Sequence, residues 1–163
     1  AVGVLFDPEV ASLAHDTGIG KTISISLGGK TDNRHGAPIH CNAYVKALCD
    51  GEFVHKGTMF HGLSESLGPT ATLTIGNTDV VVASKRHQCL DMEMLRIAGI
   101  EPSHRRVIVL KSAVHFRADF GKVASHMFDG DTPGIHRPDF SMYNYNLLRR
   151  PIYPLDNGVD WRM

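Results

Sequence analysis

Apolar positions along the chain repeat at two residues in some stretches and at three or four in others, and the changes of period mark the elements. Val2 to Phe6 is a short apolar run that predicts a strand. Asp7 then stands as an N-cap with Pro8 in the first turn, Val10, Leu13 and Ala14 supply a helical core face, and Gly18 supplies the stop. From Thr22 to Leu27 the period is two, with Ile23, Ile25 and Leu27 on one side, which predicts a half-buried strand. A polar loop, GGKTDNRHGAP, leads into a longer alternation in which Ile39, Cys41, Ala43, Val45, Ala47 and Cys49 face inward and His40, Asn42, Tyr44 and Lys46 face out.

Asp50 to Pro69 has several glycines and little periodicity, yet contains Phe53, Met59, Phe60 and Leu63, so an ordered loop is expected there. Ala71, Leu73 and Ile75, the turn signal Gly76-Asn77, and Asp79 to Ala83 predict a β-hairpin. Its second strand runs into the polar cluster Ser84-Lys85-Arg86-His87-Gln88. Asp91 is then expected to cap a helix packed through Met94, Leu95 and Ala98 and ended by Gly99. In Arg105 to Phe120, RRVIVLKSAVHFRADF, the run Val107 to Leu110 suits a strand buried on both faces. Ala113, Phe116, Phe120 and Val123 then recur at helical spacing behind Ser112 as cap. Gly130 to Asp139 reads as turns, with Pro133 and Pro138, and LLRRPIYPLD as an extended tail laid along the domain. The fold class expected is α/β: a mixed β-sheet flanked by helices, with a β-hairpin and a long ordered loop.

Composition adds bounds to this picture. A chain of 163 residues is one domain's worth, 1–163, and its 17 basic and 17 acidic side chains balance, which argues against nucleic acid or a membrane surface as partner. No apolar run is long enough to cross a bilayer, so a cytoplasmic protein is expected. The chain opens in mid-strand without an initiator Met, which reads as a piece of something longer. Cys41, Cys49 and Cys89 are odd in number and form no CxxC pair, the usage of a reducing compartment. Ten histidines invite a metal reading, but there is no HExxH, and the pairs His35/His40 and His55/His61 lie in loop-like sequence without a Cys or carboxylate at ligand spacing. No metal ligands are therefore assigned within this chain.

Both DVVVA and VIVLK run from an apolar strand into polar residues and then a helix. If the two strands lie parallel and near each other, Ser84, Arg86, Gln88, Ser112 and His115 converge on the carboxyl edge of the sheet, where open α/β sheets hold ligands. The plainer reading is that Ser112 only caps, His115 only packs, and SKRHQ is a solvated charge run.

The segments VLFDPEVASLAHDTGIGKTISISLGGK, DGEFVHKGTMFHG, LGPTATL, DVVVASKRHQCLDMEM, GIEPSHRRVIVLKSAVHFRADF and RRPIYPLD, in this order and spacing, resemble the C-terminal domain of the microcystinase C (MlrC) family of zinc metallopeptidases. The most specific matches are SxRxQ after one buried strand and KS, two residues, HFR after another. The resemblance implies a longer two-domain protein whose zinc ligands lie in an N-terminal domain not present in this chain, which by itself should be inactive and bind no zinc. A peptide substrate and the chain's own metal-binding domain are the implied partners, and homo-oligomers are possible. On this reading His115 and Ser112 are the candidate catalytic residues. Ser84, Arg86, Gln88, Lys111 and Arg117 are the candidate substrate-binding residues, the arginines offering forked donors to a carboxylate. Two rivals stand beside it: a non-catalytic interdomain or oligomerisation module, and a free-standing domain that binds a small anion at Ser112.

Overall fold

The computed structural model describes residues 1–33, 36–132 and 139–159. They fall in two compact units, Ala1–Asp129 and Gly130–Met163. The first is built on a six-stranded mixed sheet of strands β1 (Val2–Phe6), β2 (Thr22–Leu27), β3 (Ile39–Cys49), β6 (Thr70–Ile75), β7 (Thr78–Ala83) and β8 (Val109–Leu110), in the order β2-β3-β6-β7-β1-β8. β2, β3, β6 and β7 are joined antiparallel, while β1 lies parallel to both β7 and β8. The two strands expected to deliver the site, β7 and β8, therefore run the same way on either side of β1. The long loop is ordered and carries a small sheet of its own, β4 (Glu52–Val54) against β5 (Ser64–Ser66).

Both faces of the sheet are covered, which explains the unbroken apolar run in β7. Helix α1 (Pro8–Thr17) packs Val10, Ala11 and Ala14 on one face against Ile23, Ile25, Val45, Leu73, Val80 and Val82. On the other face Val4, Val81 and Ala83 meet Phe53 of the small sheet, Met94 and Leu95 of α2 (Glu93–Arg96), Phe120 of α3 (Arg117–Phe120), and Leu67 and Cys89 from the connecting segments. Gly3 permits this second layer to approach, since a Cβ there would come 2.5 Å from Leu95 Cδ2. Asp7 caps α1 as expected, its Oδ1 accepting from Val10 N at 3.2 Å.

Several local expectations are corrected. Leu13 is exposed and Ala11 takes its place in the core. β8 is a two-residue edge strand, not one buried on both faces: Ile108 and Leu110 pack inward, whereas Val107 and Val109 are 68% and 55% exposed because nothing described lies beyond them. The helix expected from Ser112 is reduced to Arg117–Phe120, entered through a tight turn at 114–116. Val114, His115 and Phe116 are poor helix formers, and Val114 and Val123 find no core to pack on. Asp91 lies before α2 and turns its second oxygen to a different task, given below. In the second unit, Asp139 Oδ1 accepts from Ser141 N and Oγ at the head of a 3-10 turn, Phe140–Met142. Residues 150–156 curl back through an Arg150–Asp156 ion pair instead of running extended. Pro133 and Pro138 lie outside the described residues, as does His35.

Candidate functional site

β1, β7 and β8 end at one edge, and backbone hydrogen bonds tie the segments that follow them. Lys111 N donates to Gly3 O at 3.1 Å, and Cys89 N donates to Lys111 O at 3.4 Å, so the residues after β7 lie against those after β8. There Gln88 joins two of the residues expected to converge: its Nε2 donates to Ser112 Oγ at 3.0 Å, and its Oε1 lies 2.9 Å from His115 Nδ1. An amide oxygen only accepts, so His115 carries a proton on Nδ1 and turns its other nitrogen, on an exposed ring, outward. Ser112 Oγ also receives Phe116 N at 3.4 Å, and its hydroxyl proton remains to be given. Its described partners do not include His115, so the pair is not a Ser–His nucleophile. The arrangement suits hydrogen bonding to a carbonyl or oxyanion and proton exchange at His115.

The other candidates are placed around this array. Arg86 is exposed, stacks with its guanidinium carbon 4.0 Å from the centre of the Phe6 ring and donates to Thr31 Oγ1 at 3.1 Å. Its loop partner is held in turn, because Asp7 Oδ2 accepts Gly28 N at 2.9 Å and Asp7 Oδ1 and Glu9 each take Lys30 Nζ at 2.9 Å. Lys111 is exposed, with its main chain in the ties above. Ser84 is half-buried, and its Oγ fills the space a side chain at Gly68 would need. Arg117 is committed elsewhere: one terminal nitrogen meets both Asp129 oxygens, at 2.6 and 2.7 Å, which weakens its case as a substrate clamp. Two hollows lie in the described surface, and neither is lined by the residues of this array. One is at the amino ends of the parallel strands, around Ala1, Thr78 and Arg105; the other lies between Gly29 and Pro38.

A constellation that sequence reasoning missed stands behind the rim. The His55 ring is 2% exposed and has carboxylates at both nitrogens: Asp91 Oδ2 at 3.2 Å from Nδ1 and Glu65 Oε2 at 2.7 Å from Nε2. Glu65 Oε1 lies 3.3 Å from His87 Nδ1. Asp91 Oδ2 also accepts the amides of Lys56 and Gly57, and Oδ1 that of Glu93. Burial pushes the Asp91 carboxyl up, but the Glu93 and Gly57 amides and the His55 ring outweigh it and hold the group below the usual carboxylate range. The four residues come from three segments 10 to 36 positions apart, beyond the reach of any spacing rule. Cys89, beside them, has its thiol pushed up to about 12 by burial and by Asp91, so it stays protonated and is no nucleophile. Among the described residues no three His, Cys, Asp or Glu side chains are placed to share a metal ion, so these residues do not fit a zinc shell.

Comparison with known proteins agrees on one family. The profile described as "MlrC C-terminus" matches residues 1–146. Microcystinase C of Sphingomonas sp. is 24% identical over 155 residues, 95% of this chain and 29% of that protein. A crystal structure of a candidate metallopeptidase from Mesorhizobium sp. BNC1 superposes with a TM-score of 0.82 at 26% identity, over 99% of this chain and 32% of that one. The chain thus spans less than a third of the length of either.

Proposed function

The chain belongs to the MlrC C-terminus family, and from that premise we propose that it is the C-terminal domain of a cytoplasmic zinc metallopeptidase that hydrolyses peptide bonds. In this reading residues 1–163 complete the substrate cleft while the zinc ligands lie in the remainder of the longer protein. The observation that carries it is the Gln88–Ser112–His115 array, because a fixed imidazole tautomer with an outward nitrogen is of little use to a solvated surface. Ser112 and the exposed Lys111 are assigned to the substrate carbonyl as its oxygen gains charge. His115 is assigned to hold or pass the proton of the amide nitrogen, and Arg86, with Ser84 and Gln88 beside it, to bind substrate. Arg117 keeps its place in this set only if Asp129 releases it.

The test uses the full-length protein and a library of short quenched-fluorescence peptides, taking the best-cleaved member as substrate. His115→Ala is expected to lower kcat/KM by about 10²- to 10⁴-fold while thermal stability stays near wild type. Equal loss of both would reduce His115 to a packing residue. The rival, an interdomain or oligomerisation module, is favoured by the exposed apolar row of Val107 and Val109 along the outer strand of the sheet. It forecasts full activity in His115→Ala and a change of oligomeric state or domain association when that row is made polar.

A further inference from the structure

We propose that His87 is a second proton-exchanging imidazole of the rim, positioned through Glu65 by the buried pair Asp91 and His55. The inference deepens the cleft reading above and rests on it. Three contacts define the chain, each pairing one ring nitrogen with one carboxylate oxygen, and they run from the fully buried Asp91 outward to the half-buried His87. Every main-chain amide that Asp91 collects fixes the start of the chain, and the His55 ring is further held edge-on by Phe53, 4.8 Å between centres.

Stability alone is a poor reason for this arrangement. Burying an imidazole between two carboxylates is strongly penalised by desolvation, and an apolar side chain of similar volume would pin the β4–β5 sheet to α2 at least as well. What an apolar replacement could not do is hold Glu65 at a set angle. Glu65 receives His55 on one oxygen and presents the other to His87, so the carboxylate cannot rotate without breaking a contact. His87 Nδ1 is thereby kept facing Glu65, 3.3 Å from Oε1, and Nε2 is the nitrogen left for a substrate. That nitrogen is not a buried orphan, since Arg105 Nε alone has that status among the described side chains.

Position supports the role. His87 lies between Arg86 and Gln88, whose side chains reach Phe6 and Thr31 on one side and Ser112 and His115 on the other. A carboxylate that orients an imidazole is the usual means of setting its tautomer for proton transfer. Here the orienting carboxylate is itself oriented by the buried His55 ring and Asp91 behind it. Glu65 and its backing pair are positioning residues; His87 is the group that meets substrate.

The experiment uses the full-length protein and the peptide substrate selected above, with His87→Ala, His87→Gln, Glu65→Gln and His115→Ala measured side by side. His87→Ala is expected to lower kcat by about 10²-fold with KM and melting temperature near wild type, and added imidazole is expected to restore a substantial part of the loss. Glu65→Gln should lower kcat by about tenfold, again without a matching change in KM. Should His87→Ala fold poorly, His87→Gln, which keeps a polar side chain toward Glu65, replaces it for the kcat measurement. Unchanged kcat in the folded His87 variants, or a loss that imidazole leaves untouched, overturns the inference. A silent His87→Ala with an inactive His115→Ala removes His87 alone and leaves the cleft reading. A rescued His87→Ala with a fully active His115→Ala keeps His87 and takes the assigned role from His115.

Discussion

Asp91 shows how much a single side chain decides in this protein. Both of its oxygens accept, from three backbone amides and the His55 ring, and an Asn side chain has only one accepting atom to offer them. Asp91→Asn is therefore expected to lower unfolding free energy at pH 7 by about 1–3 kcal/mol, read from urea denaturation. The pH dependence has a definite sign. The folded-state carboxyl lies below its ordinary value, so its stabilisation is complete above about pH 4 and disappears as pH falls through the lowered value. The gap between wild type and Asp91→Asn should accordingly close in acid, and a gap that stays constant to about pH 2 would assign it to packing. Asp7 was visible from sequence because its cap is three residues away, whereas the partners of Asp91 near His55 are 34 to 36 residues distant.

At the scale of elements, the contact between β1 and α2 is where backbone and side chain interlock. Leu95 is fully buried against the strand, and Gly3 leaves it room. Leu95→Ala is expected to destabilise by about 2–5 kcal/mol and Gly3→Ala by about 1–3 kcal/mol. Combined, the two should fall short of their sum, because the methyl group added at Gly3 enters the space that the shortened side chain vacates. Additivity in a double-mutant cycle would show that this methyl group points elsewhere. Strands were the most readable elements, since β2, β3, β6 and β7 alternate or run apolar as their covered faces require. The stretch 107–123 misled for the same reason: its apolar run and helical spacing imply neighbours on every side, and the described residues supply them on one side only.

For the whole molecule, that one-sidedness is informative. Val107 and Val109 form an exposed apolar row at an open sheet edge, and relatives of this chain are more than three times as long as the part it matches. Contact of this row with the rest of the longer protein is the rival reading proposed above, and it can be tested at this scale. Val109→Lys in the full-length protein should then lower stability by about 1–3 kcal/mol, well beyond the roughly 0.5 kcal/mol typical of a solvated position. A change within that smaller range would leave the edge facing water. No described helix is long and apolar enough to cross a membrane.

Periodicity and turn chemistry by themselves determined strands β1, β2, β3, β6 and β7, the capped first helix, the β6–β7 hairpin and the polar segments that end β7 and β8, because each depends on residues a few positions apart. The motif spacing likewise marked the family. Only the tertiary structure decided that β1 lies between β7 and β8, that Gln88 links Ser112 to His115, and that His55 and His87 share the two oxygens of Glu65. Those contacts join segments separated by tens of residues, and hydrogen bonds at such separation leave no period in the chain.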